Sequence, residues 1–246
     1  MMKKRFAFTL GEILIALGVI GVIAALVIPQ LVNGQKAGEA RAQFDTAYSL
    51  LAKTIADMDA DNLPVLPANY TSGGLYEAIK DYNKVTFDCG GYGATKNASI
   101  CISYGANDQT GTKDNYYTYN KTTSTKINLS RLDDGAFVLN NGMLVAVENP
   151  GGTSTVGGKT VPNPILISVD INGKAKNPNR WGWDLFTFAL TDEGIQPLGA
   201  PASHPTYSAN PDEYCNPTGG GNENGITCGY YAATNQDYFK NIYKGH

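Results

Sequence analysis

The chain has 246 residues, with 19 Lys+Arg against 22 Asp+Glu and a net charge of −3. That length allows one domain or a modest two-part molecule. Charge this sparse argues against a nucleic-acid surface, since only Lys3, Lys4 and Arg5 form a basic run. The 28 Gly and 15 Tyr suit short strands joined by tight turns, and the most apolar residues are concentrated at the N-terminus.

Behind the start Met1-Met2-Lys3-Lys4-Arg5-Phe6-Ala7, residues 8–28 are broken by one charge, Glu12. As a helix this run spans about 31 Å, against about 30 Å for a bilayer core. The basic residues would stay in the cytoplasm and place the rest of the chain outside. An ordinary secretory signal also starts basic, but its apolar run is shorter and has no early carboxylate. A plain anchor leaves Glu12 unexplained, because a carboxylate in lipid costs about 2.5–3.5 kcal/mol. A buried core helix leaves the basic lead unexplained.

Phe8-Thr9-Leu10-Gly11-Glu12, behind a short basic leader, resembles the processing signal of type IV prepilins and type II secretion pseudopilins. The resemblance covers roughly the first 55 residues. It implies that a prepilin peptidase cuts between Ala7 and Phe8 and methylates the Phe8 amine. Glu12, Gly21 and Pro29 then match the family's assembly positions. Two residues depart from the pattern: Ala7 stands where Gly is usual, and Gly11 where a large aliphatic is usual. Gly11, Gly18 and Ala25 also form a stripe of small residues, which suits either close helix packing or a Gly-tolerant membrane helix. By the same resemblance, the partners are other copies of the chain, other pilins, the peptidase and an inner-membrane assembly platform. The expected location is the bacterial inner membrane, single-pass, and then a filament.

Beyond Pro29, the positions Ala40, Phe44, Ala47, Tyr48, Leu51, Ile55 and Met58 recur at spacings of three and four. This predicts an amphipathic continuation ending near Asp61-Asn62. The expected organisation is a leader (1–7), one helix (8–62) and a β-rich head (63–246), an α+β chain with the helix packed on an antiparallel sheet.

In the head, residues 63–71 read as a linker, and Leu75, Ile79 and Tyr82 as a short helix. Two apolar runs around Asn140-Asn141-Gly142 predict a hairpin. Residues 165–171 and 185–190 predict two further strands. Residues 105–124 are polar and Tyr-rich and are expected to form an exposed loop; residues 197–225 predict another long loop. Trp181 and Trp183 precede an apolar strand and are expected in the core. The four cysteines allow three connectivities. Their proximity favours Cys89–Cys101 and Cys215–Cys228, provided the head is exported.

Asp170-Ile171-Asn172-Gly173-Lys174, followed by Asn177-Pro178-Asn179 and Asp184, is similar to the start of an oxygen-ligand calcium loop. Asp170, Asn172, a carbonyl near Lys174 and Asp184 are the candidate ligands. The full EF-hand spacing is absent, and a strand ending in an Asn-Gly turn needs no metal. Some pseudopilins bind calcium in their C-terminal loops. The two histidines, His204 and His246, lie in no catalytic or zinc pattern, so no enzyme activity is expected. The resemblance implies a structural subunit of a type IV pilus or pseudopilus. A minor pilin or adhesin with a binding head is the alternative, and a secreted enzyme on a borrowed anchor is a third.

Overall fold

A computed structural model of the chain describes residues 9–63, 70, 74–92, 96–97, 99–103, 114–150, 152–156 and 158–244. Helix α1 (Leu10–Ala60) runs unbroken through Pro29 for 51 residues, about 77 Å. Its start is fixed by Thr9 and Glu12, which cap one another in a capping box. Its end is a Schellman turn. Asn62 takes the left-handed conformation at φ 57°. Its N–H reaches the Asp59 carbonyl at 2.9 Å, and the Leu63 N–H reaches Met58 at 2.9 Å. The helix expected over 8–62 is therefore Leu10–Ala60 with a cap at each end, and Phe8 lies outside the described residues.

The two halves of α1 behave differently. Ala37, Ala40, Phe44, Ala47, Leu51, Ile55 and Met58 are buried against the head. The N-terminal half is largely exposed: Leu10 is 77% exposed and Leu26 is 65% exposed. This is the one helix among the described residues that is long and apolar enough to cross a membrane.

The head is built on a six-stranded antiparallel sheet in the order β1-β2-β3-β6-β7-β8. The strands are β1 (Val85–Gly91), β2 (Gly135–Leu139), β3 (Leu144–Glu148), β6 (Leu166–Asp170), β7 (Leu185–Thr191) and β8 (Gly194–Pro197). A separate hairpin, β4 (Thr153–Val156) with β5 (Lys159–Pro162), is inserted between β3 and β6. Helix α2 (Gly74–Asp81) contributes Leu75, Tyr76 and Ile79 to the core. Helices α3 (Cys228–Thr234) and α4 (Tyr238–Tyr243) follow the last long loop and return to α1. The fold is thus α+β, a long N-terminal helix packed on an antiparallel sheet.

Both faces of the sheet are covered. Val145, Val147, Ile167, Val169, Phe186 and Phe188 face the helices. Leu144, Ala146, Leu166 and Ala189 face a second core roofed by irregular chain that includes Tyr116, Ile127 and Ile226. Burial on both sides explains why the inner strands β2, β3, β6 and β7 read as nearly continuous apolar runs instead of alternating ones. Phe44 seals α1 to the head, edge-on to Phe186 with ring centroids 4.9 Å apart and 5.9 Å from Phe239. Trp181 and Trp183 are both buried.

The loop expected to be exposed over 105–124 is different where it is described. Asp114, Tyr116, Thr118 and Asn120 are buried. Three of these polar side chains bond into the head: Asp114 accepts from the Ser103 N–H at 2.5 Å, the Tyr116 hydroxyl donates to Asp170 at 2.6 Å, and the Asn120 amide donates to the Gly219 carbonyl at 3.1 Å. Residues 104–113 lie outside the described set. The structure joins Cys89 to Cys101 and Cys215 to Cys228. The first bridge ties β1 to the covering chain, and the second ties the last long loop to the start of α3.

Candidate functional site

Two regions hold the residues singled out from the sequence. On α1, Glu12 Oε2 accepts from the Thr9 N–H at 2.8 Å and from Thr9 Oγ1 at 2.9 Å. A Cβ at Gly11, Gly18 or Gly21 would meet nothing within 4 Å, so this face is open to close approach. Gly21 and Pro29 are exposed on the same free half. Ala7 and Phe8 lie outside the described residues.

The second region is the β6–β7 connection. Asp170 closes β6 and Asp184 precedes β7, and the sheet register brings these chain ends together: Asp170 pairs with Leu185. The turn between them is held by Gly173. It has φ 80°, and a Cβ there would come within 2.3 Å of the Gly142 carbonyl oxygen. A residue with a side chain is thus excluded both by conformation and by contact with the β2–β3 turn.

Asp170 and Asp184 are 0% and 1% exposed. Asp170 accepts from the Tyr116 hydroxyl at 2.6 Å and from the main-chain N–H of Gly173 at 2.9 Å and Asn172 at 3.3 Å. Asp184 accepts from the N–H of Arg180 at 2.6 Å and of Asn179 at 2.7 Å, and from the Asn172 amide at 3.3 Å. Each of these donors is neutral. Burial, and then the charge of Asp184, pushes the Asp170 carboxyl well up, while burial raises Asp184 against its hydrogen bonds.

Asn172 therefore bridges Asp170 and Asp184. The Lys174 side chain does not join them. Its ammonium is held by Asp114 at 2.6 Å and the Cys101 carbonyl at 2.5 Å. Its own carbonyl is at the site and accepts from the Asn179 amide at 3.0 Å. Asn179 and Tyr116 are the members that sequence reading passed over. Asn179 was visible in the Asn-Pro-Asn triplet, whereas Tyr116 is distant in sequence and carried no signal.

No family model matches the chain, and no curated protein or solved structure matches it either.

A second acidic group lies between β2 and β3. Asp133, Asp134 and Glu148 are buried, with carboxylate oxygens within 4.8 Å of one another. Burial and the two aspartates push Glu148 up to about 9. The hairpin register could have located this group, since it sets Gly135 opposite Val147 and so brings the flanking acids together. His204 lies in the loop after β8, where its Nδ1 accepts from the Thr206 N–H at 3.1 Å. Burial lowers it to about 4, so it is neutral at pH 7.

An open cleft of about 360 Å³ lies between α1 and the β6–β7 connection, lined by Lys36, Lys121, Asn172, Asn177, Trp183 and Tyr243. The Lys121 ammonium sits 4.7 Å from the centre of the Trp183 ring.

Proposed function

We propose that this chain is a non-enzymatic structural subunit of a type IV pilus or type II secretion pseudopilus, polymerised through its N-terminal helix. The observation that carries this reading is the division of α1. One continuous helix is a spine of the head in its second half and bare apolar surface in its first. Such surface is costly in water and belongs in lipid or against other apolar helices.

In this reading a prepilin peptidase removes residues 1–7 and methylates Phe8, and the net side-chain charge moves from −3 to −6 as Lys3, Lys4 and Arg5 leave. The head lies outside the inner membrane. Glu12 pairs with the Phe8 amine of a neighbouring subunit, so that two groups costly alone in lipid offset one another. Gly21 and Pro29 loosen the helix and admit the neighbour. The other partners are the assembly platform and further pilins.

The test is the Glu12→Ala variant in the native host. Export of the head is expected to persist while filament yield falls, and unchanged yield contradicts the pairing. The cleft of about 360 Å³ beside Trp183 favours a second reading, a minor pilin with a ligand-binding head. Copy number in purified filaments separates the two.

A further inference from the structure

We propose that the base of the head docks on an anionic phospholipid surface through Lys36, Lys121, Lys176, Lys240 and Lys244. This rests on the reading of the first half of α1 as bilayer-spanning, and adds that the head itself grips the membrane it stands on.

The five lysines come from separate parts of the chain and meet where α1 leaves the head. An open groove between α1 and α4 is lined by Leu26, Pro29, Gly34, Lys240, Asn241 and Lys244. It sets the two α4 lysines beside the end of the apolar run. The cleft beside Trp183 adjoins this groove, since Tyr243 lines the cleft and Lys244 the groove. Lys36, Lys121 and Lys176 line the cleft. With residues 8–28 across the hydrocarbon core, Lys36 lies about 12 Å past Ile28 along the helix. A lysine stem there reaches back to the headgroups.

The chain has a net charge of −3, yet the cleft and groove carry five lysines against Glu39 and Asp237. Asp237 is already taken by Lys240 at 2.7 Å. Lys36, Lys121 and Lys176 form no ion pair among the described residues. Burial lowers the Lys121 ammonium, and the charges of Arg180 and Lys36 lower it further, as expected where cations gather without matching anions. Lipid phosphates supply the missing negative charge. Trp183 and Tyr243 line the same cleft, and both residue types favour the bilayer interface. Cations spread over two adjoining clefts suit an extended anionic surface better than one small ion.

The experiment places the full-length protein in nanodiscs of phosphatidylcholine, with or without phosphatidylglycerol. Lysines are acetylated with limiting reagent, and the rate at each site is read by mass spectrometry. The five lysines should react at least about threefold more slowly in the anionic discs, and high salt should remove the protection. Lys53, further along α1 with its side chain 74% exposed, should react equally in both. Lys36→Gln combined with Lys176→Gln should reduce the protection of Lys240 and Lys244. Lys36 and Lys176 are exposed, so this variant should melt like the parent. Equal rates for the five lysines in both discs overturn the docking and leave the anchor standing. Slowing at Lys53 as well would mark a general surface effect and overturn it too. So would equal protection by soluble glycerol phosphate in neutral discs, which would assign the clefts to a free anion. Protein that does not enter neutral discs overturns the anchor reading and the docking with it.

Discussion

Thr9 and Glu12 satisfy each other across the first turn of α1: Glu12 Oε2 takes both the N–H and the hydroxyl of Thr9, and Thr9 Oγ1 accepts the Glu12 N–H at 3.3 Å. The carboxylate that is costly in lipid is therefore tied up locally in the isolated chain. In the proposed filament, pairing of Glu12 with a neighbour's amine would have to compete with this capping box. Glu12→Gln separates the two roles, because glutamine also fits a capping box but carries no charge. We expect Glu12→Gln to lose filaments as Glu12→Ala does. Parent-like filament yield from Glu12→Gln would assign the residue to capping alone.

Phe44 joins the helix to the head. Phe44→Ala removes a fully buried ring that touches Phe186, Phe188 and Phe239. The expected loss is about 3–5 kcal/mol, read as a lower melting temperature of the full-length protein. A shift no larger than that of an exposed control, Leu26→Ala, contradicts the packing described.

The Cys215–Cys228 bridge closes a loop over a sequence separation of 13. Replacing both cysteines with serine should destabilise the head by about 2–4 kcal/mol. Reductant should lower the melting point of the parent and leave that bridge's contribution absent in the variant. Equal melting of parent and variant without reductant counts against a stabilising role.

Glu148 gives a pH dependence of known sign. Its carboxyl, facing Asp133 and Asp134 with Arg131 nearby, is raised from 4.5 to about 9 in the folded chain. A group whose folded value lies above its unfolded one stabilises the fold fully below the unfolded value, and this contribution is lost as pH rises through the folded value. Melting temperature should therefore fall between about pH 5 and about pH 9. Glu148→Gln should flatten that fall, and identical slopes in parent and variant would sink the assignment.

Gly173→Ala should cost more than about 1 kcal/mol, because the position needs a positive φ and the added methyl meets the Gly142 carbonyl at 2.3 Å. Gly220→Ala, in open space, is the control. Equal melting of the two variants would mean that the turn accommodates a side chain.

Legibility in the sequence followed the strength of local signals. The two halves of α1 were readable because one is uniformly apolar and the other repeats every three to four residues. The β2–β3 hairpin was readable from Asn140-Asn141-Gly142. Strand β1 was missed because it is half polar and its pairing with β2 is broken by two register shifts. Helices α3 and α4 have only seven and six residues, too few to display a period, and neither has a side-chain cap. The stretch around Tyr116 was misjudged as exposed because it is polar. Its hydroxyl instead serves Asp170, a partner 54 residues away. At the β6–β7 connection, the Asp-x-Asn-Gly pattern disclosed the two aspartates and Asn172. The bond from the Asn179 amide to the Lys174 carbonyl depends on the path of the turn and is found only in three dimensions.

In the proposed function α1 is a processed assembly helix. Mass spectrometry of the mature N-terminus in the native host tests this most directly. A chain beginning at N-methylated Phe8, cut after Ala7, is expected. A chain still carrying residues 1–7, or one cut beyond the apolar run, would contradict it.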